Sequence, residues 1–262
     1  MPDIAYDTAL DRLYVVNNPS TTSIALIDHA STANGIVVPT RTLSSPSFVS
    51  SIVSIYLDTV NDELYVADAV SGILVFSNIS TATSPVPLGR TITITRGVST
   101  IAPDDIFVDT THDILYAKLH VGSGGVSDAI AVIDHASARN TPVTVTQELT
   151  FSTSISGIIG DGAANRLFVV DAPGSKVLVF DGASAASGVV VPTRTINTPT
   201  SLHRIALVPS SSTNRLYGVA ADTRTVYIIN NASTANRASA TVPVTAITNP
   251  SVGSLTGLAV AQ

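Results

Sequence analysis

Cysteine and tryptophan are absent from the 262 residues, methionine occurs once, and Lys118 and Lys176 are the only lysines. Without cysteine there is no disulfide, no thiolate nucleophile and no Zn–Cys centre. Charged residues make up 12% of the chain, and 13 basic against 19 acidic side chains leave a formal net charge of −6. No basic patch of the kind that nucleic acid or an anionic membrane requires can be built from that. Mean hydropathy is +0.39, yet no apolar run approaches the ~20 residues of a membrane span. The start, Met1-Pro2-Asp3-Ile4, has neither a basic n-region nor an apolar h-region. A cytosolic protein, or one whose signal has been removed, is expected from that start. A chain of this length buries roughly 70–75% of its unfolded surface, so it needs no covalent or metal staple.

What is present is a repeat. An apolar triplet, Asp, three loose residues, Asp or Asn, any residue, Leu, an aromatic and a small apolar residue recur from Ile4, Ile55, Ile106 and Ile158, with a looser copy from Ile205. Each copy continues into a second apolar run that ends in Asp or Asn at Asp28, Asn78, Asp134, Asp181 and Asn230. A Ser/Thr/Ala/Gly-rich link and a Pro-Thr-Arg-Thr-like run follow, and residues 37–42 and 190–195 both read VVPTRT. Every period of about 50 residues thus holds four short runs rich in Val, Ile, Thr and Tyr, here called a to d, separated by Asp/Asn/Gly/Ser turns. No segment has helical periodicity or length. Four strands per period predict an all-β β-propeller of four-stranded blades, with strand a nearest the axis. The whole chain is expected to form one domain, and five blades are preferred over a six-bladed or incomplete ring.

Asp7, Asp58, Asp109 and Asp161 end the a runs, and Asp11, Asp62, Asp113 and Asn165 follow four residues later. Short Asx side chains hold tight turns by bonding nearby backbone amides, and that is the reading preferred here. A ring formed by the first set around the axis is the weaker, metal-binding alternative, broken where the fifth copy reads Val208-Pro209-Ser210. Tyr14, Tyr65, Tyr116, Phe168 and Tyr217 recur at one place in strand b and are assigned to packing between neighbouring sheets.

The D-x-x-x-[DN]-x-L-[YF]-V frame, its second apolar run, the Ser-Thr-Ala-rich link and the Pro-Thr-Arg-Thr strand resemble the NHL-like repeats of bacterial β-propellers. Many of those proteins are secreted or surface-exposed, so the resemblance implies an extracellular or cell-surface location, with the cytoplasm as the alternative. The broader superfamily includes calcium-dependent lactonases that carry their metal on acidic and amide residues of the inner strands. Here those strands read Ile4-Ala5-Tyr6, Ile55-Tyr56-Leu57, Ile106-Phe107-Val108, Ile158-Ile159-Gly160 and Ile205-Ala206-Leu207. Hard cations need six or more oxygen ligands, which these segments do not supply, so that metal site does not carry over and no cofactor is expected.

Ahead of strand a, where propeller loops converge on the axis, the copies read Val53-Ser54, Asp104-Asp105, Ser156-Gly157, His203-Arg204 and Thr256-Gly257. Asp104, Asp105, His203 and Arg204 are the charged or titratable members, two blades apart, and form the candidate ligand site at the channel mouth. An internal ion pair or solvated loop is the plainer assignment for them. His29, His112 and His135 read as loop residues, the VGSGGV run from Val121 as a flexible loop, and the sequons at Asn78 and Asn231 as repeat turns. No G-x-S-x-G, H-E-x-x-H or P-loop pattern occurs.

After five complete units, residues 255–261 match strand a once more. A surplus strand of this kind offers an edge for pairing within the ring or with another molecule, and head-to-tail pairing that does not close builds a filament. The expected function is therefore a non-catalytic binding or interaction module with a protein or glycan partner. Self-association through the terminal strand is one alternative, and a lactonase-like hydrolase using Asp104, Asp105 and His203 is the other.

Overall fold

A computed structural model of the chain describes residues 3–16, 22–34, 36–120, 128–140, 142–208, 214–220, 225–235 and 244–248. Residues 121–127, part of the Gly-rich loop, and the surplus strand at 255–261 lie outside the described residues. Each repeat forms an antiparallel sheet with its strands in chain order. The first comprises Ile4–Asp7, Arg12–Val16, Ser23–Asp28 and Arg41–Ser44, and the second Ile52–Asp58, Glu63–Asp68, Gly72–Ser77 and Arg90–Ile92. The third runs through Pro103–Asp109, Ile114–Leu119, Ala129–Asp134 and Glu148–Thr150, and is extended by Gly188–Val189 from the following repeat. The fourth is Ile155–Asp161, Arg166–Asp171, Lys176–Asp181 and Arg194–Asn197, and the fifth Arg204–Val208, Arg215–Ala220, Thr225–Asn230 and Val244–Thr248. The helices described are three 3₁₀ turns of three residues, in the Ala/Ser/Thr links and the fourth a–b turn.

The second, third and fourth sheets are each packed between two others, and their strands b and c are accordingly apolar on both faces. Tyr14, Val16, Ile24, Leu26 and Leu43 of the first sheet meet Ile55, Leu64, Val66, Leu74 and Phe76 of the second. Tyr65 and Val75 on the opposite face of the second then meet Ile106, Leu115 and Ile133 of the third. The third and fourth sheets pack through Tyr116, Val132, Leu167 and Phe180, and the fourth and fifth through Phe168, Val179, Leu216 and Ile229. In the first four sheets the recurrent aromatic thus points at the next sheet, and Tyr14, Tyr65, Tyr116 and Phe168 are at most 1% exposed, whereas Tyr217 of the fifth is only half-buried. Full burial of such a side chain stabilises by about 1.5–3 kcal/mol.

The a–b turns follow from the Asx residues. Asp11, Asp62, Asp113 and Asn165 lie at φ 48, 54, 55 and 50°, a left-handed region that Asn and Asp tolerate better than most side chains. From there each reaches a serine in the link of its own sheet. Asp62 accepts from the Ser80 amide at 2.8 Å and its hydroxyl at 2.7 Å. Asp11 holds Ser31 and Asp113 holds Ser137 through the same two bonds, and Asn165 holds Ser184. His29, Asn78, His135 and Asn231, at φ 55–58°, turn the chain out of strand c; histidine belongs to the residues enriched at positive φ.

A side chain on or just ahead of strand d bridges each of the first four sheets to the next. Arg41 donates to the Ala82 carbonyl at 3.2 Å, Arg90 to Ala136 at 3.3 Å, Gln147 to Ser184 and Ala186 at 2.9 Å each, and Arg194 to Ser233. In the fifth sheet Thr245 stands in the register position of Arg41, Arg90 and Arg194 and is too short to reach across. Ile247 of the same strand is 57% exposed, whereas its register equivalents Leu43, Ile92, Leu149 and Ile196 are buried.

Candidate functional site

The residue ahead of each inner apolar triplet is Asp3, Ser54, Asp105, Gly157 or Arg204, one from each sheet. β-Sheet pairing of strand a with strand b aims these positions at the axis, and four of the five line a central cavity of about 80 Å3. Its walls are the apolar inner strands, including Ile4, Ile55, Ile106, Ile158 and Ile205. Gly157 has the closest quarters: a Cβ there would lie 2.9 Å from the His203 carbonyl oxygen and 3.7 Å from Asp105 Oδ2.

The polar members form a belt. Arg204 Nη1 pairs with Asp105 Oδ1, and its Nη2 donates to the Val53 carbonyl at 3.0 Å. Ser54 Oγ lies 2.9 Å from Asp3 Oδ2 and 2.9 Å from Asp105 Oδ1. The carboxylates also cap backbone amides of neighbouring sheets: Ile55 donates to Asp3 and Ile158 to Asp105, each at 2.9 Å. Asp3, Ser54, Asp105 and Arg204 are all at least nine-tenths buried. Burial raises the Asp3 carboxyl above its ordinary value, aided by the Asp105 charge and opposed by Arg204. Burial works against the Arg204 charge, but Asp105 and Asp3 outweigh it and hold the guanidinium above its usual value.

Of the four residues expected at the channel mouth, the fold brings Asp105 and Arg204 together. Asp104 turns outward to Lys118 Nζ at 2.8 Å and is half exposed, and His203 is engaged through its backbone, with its amide bonded to the Val219 carbonyl at 2.9 Å. Asp3 and Ser54 escaped sequence reasoning as site members. Their signal was positional, since both precede an Ile of strand a as Asp105 and Arg204 do. A second titratable pair on the same side is His120 Nδ1 with Asp128 Oδ1 at 3.1 Å. Burial opposes ionisation of Asp128, yet the Ile155 amide, Lys118, Ser154 and His120 together lower its pKa.

At the other end of the inner strands the turn carboxylates are spent locally. Asp7 caps the amides of Ala9 and Leu10, Asp58 those of Val60 and Asn61, and Asp109 those of Thr111 and His112. Asp109 Oδ2 also meets His112 Nδ1 at 2.8 Å, and Asp161 caps Ala164 while Asn214 reaches its second oxygen at 3.3 Å. Among the described residues no three His, Cys, Asp or Glu side chains converge as a metal site.

No family model matches the chain, and no curated protein does. Among solved structures, a chain in the crystal structure of the mitotic checkpoint complex aligns with a TM-score of 0.53 at 14% identity, covering 89% of this chain and 61% of that one. Kuenenia stuttgartiensis hydrazine synthase aligns with a TM-score of 0.59 at 17% identity, covering 88% and 64%. This chain therefore spans less than two thirds of either. The fold is all-β and propeller-like. Likeness at such low identity is a likeness of fold alone, and it assigns no activity.

Proposed function

We propose that this chain is a five-bladed β-propeller with NHL-like repeats that serves as a non-catalytic binding or interaction module, outside the cell or on its surface. The observation that supports a non-catalytic role is the belt itself. Its guanidinium, carboxylates and hydroxyl are buried and bonded to one another and to backbone, and Asp104 and His203 do not join Asp105 in a nucleophile–base arrangement. A catalytic group must be within hydrogen-bond reach of the proton it moves. The partner is a protein or a glycan, captured by loops at the ends of a rigid scaffold. Screening the immobilised chain against glycan and extracellular-protein arrays is expected to give a saturable partner; no partner in either set counts against the reading. Hydrolysis of lactones or esters, with or without calcium, that is lost in Asp105→Ala would replace it with the hydrolase reading.

One observation favours self-assembly as a second reading. The fifth sheet presents Ile247 to solvent and has Thr245 where the first, second and fourth sheets carry the arginine that ties each to its successor. On this reading light scattering shows mass growing with concentration, and Ile247→Asp abolishes the growth. A monomer at all concentrations refutes it.

A further inference from the structure

We propose that the belt contains a proton-binding site: at neutral pH Asp3 carries a proton, shared through the Ser54 hydroxyl with Asp105. The hydrogen count requires it. Ser54 Oγ stands 2.9 Å from a carboxylate oxygen on each side, and a hydroxyl has one proton to donate. With both carboxylates ionised, one of these two contacts would hold no hydrogen and would set a lone pair against an anion. With a proton on Asp3 Oδ2, Asp3 donates to Ser54, Ser54 donates to Asp105, and both contacts become hydrogen bonds.

The charge count agrees. Asp3, Asp105 and Arg204 are 7, 4 and 7% exposed, so two carboxylates face one guanidinium away from water. A buried uncompensated charge is costly, and one proton brings the belt to neutrality. The negative charge stays on Asp105, which receives Arg204 Nη1 and the amides of Ile106 and Ile158. Among the described residues Asp3 receives the amides of Ile4 and Ile55 and no cation. The groups facing Asp3 come from every neighbouring sheet: Ser54 from the second, Asp105 from the third and Arg204 from the fifth. The fourth contributes uncharged Gly157. Burial and the Asp105 charge both favour the protonated form, against Arg204. A divalent cation is opposed instead by the Arg204 guanidinium, which already occupies Asp105 Oδ1 and would repel a second cation at this distance.

The site makes the belt a pH-dependent clasp between the first sheet and the second and third. The folded state holds this proton more tightly than the unfolded chain. Its contribution to stability is therefore full in acid and is lost as pH rises through the folded pKa of Asp3. On loss the Asp3 O–H bond breaks, the proton passes to water, and Ser54 can satisfy only one carboxylate.

Infrared spectroscopy of the full chain at neutral pH, with carbon-13-labelled aspartate, tests this. A protonated-carboxyl band that vanishes in Asp3→Asn is expected; the amide can donate to Ser54 as the acid does, but its nitrogen then faces the Ile55 amide that Oδ2 accepts, so far-ultraviolet circular dichroism must first show the variant folded. Urea midpoints of wild type should fall towards alkaline pH, and those of Asp3→Asn should be flatter over the same range. Absence of the band in wild type, or its persistence in Asp3→Asn, overturns the assignment. A midpoint that changes when sodium is exchanged for choline at constant ionic strength also overturns it, by placing a metal cation where the proton is assigned.

Discussion

Replacing Arg204 by methionine isolates the electrostatics of the channel. Methionine retains much of the side-chain volume and removes the guanidinium that pairs with Asp105 and donates to the Val53 carbonyl. Breaking a buried pair from one side costs about 3–5 kcal/mol, because the surviving charge is left without solvent or partner. A folded domain has only about 5–15 kcal/mol in total, so the loss is a large fraction. With a urea slope of about 3 kcal/mol per molar, the midpoint should fall by roughly 1–2 M. Tyrosine fluorescence or far-ultraviolet circular dichroism must report it, since the chain has no tryptophan. The sign with pH is set by the carboxylates. Without the guanidinium, which opposes the burial-driven rise at Asp3, the Asp3 carboxyl is pushed further above its ordinary value. The variant is then least handicapped in acid and loses ground to wild type as pH rises through the range in which that carboxyl ionises. Adding Asp105→Asn should recover part of the loss, with a coupling of about 0.5–3 kcal/mol. A midpoint shift below about 0.3 M at neutral pH, or a deficit that does not shrink in acid, would refute the reasoning.

Three further outcomes are expected. Asp62→Ala should cost about 2 kcal/mol or more in urea, through two lost hydrogen bonds to a charged group and a left-handed backbone that alanine tolerates poorly. Asp62→Asn should be milder, because Asn165 makes the same clamp on Ser184. Arg90→Ala should lower the urea midpoint by the equivalent of about 3–5 kcal/mol, since Arg90 is bidentate to Glu63, which is 8% exposed. Gly160→Ala should lower the thermal midpoint by the equivalent of about 1–3 kcal/mol from overpacking, because its Cβ would fall 2.1 Å from Phe107 Cε1. Shortening Phe107 to leucine in the same chain should restore part of that loss.

The local chemistry was legible in the chain. Short runs rich in Val, Ile, Thr and Tyr specify strands, and Asx residues at fixed offsets specify turns, because both act through neighbours in sequence. The histidines at 29 and 135 and the Asn-Ile-Ser at 78 could be assigned to repeat turns for the same reason. The arginine of VVPTRT was visible as a recurrent residue, but its acceptor lies in the following sheet, so its bridging role was not. Residues 99–101, 94–96 and 143–144 form a small ribbon joining two repeats, and no periodicity announces a pairing between segments that lie some 50 residues apart.

By itself the sequence determined that four strands recur per unit, that their aromatic positions pack between sheets and that the acidic turn residues cap the backbone. Only the tertiary structure decided which charged residues meet. Asp104 and Asp105 are adjacent in the chain, yet at the irregularity that opens this strand one stays half exposed and pairs with the buried Lys118 while the other meets Arg204 on the axis. Asp3 and Ser54 gain their meaning only when five inner strands converge. Burial, and with it the difference between a solvated carboxylate and one that must be neutralised, is a property of that convergence.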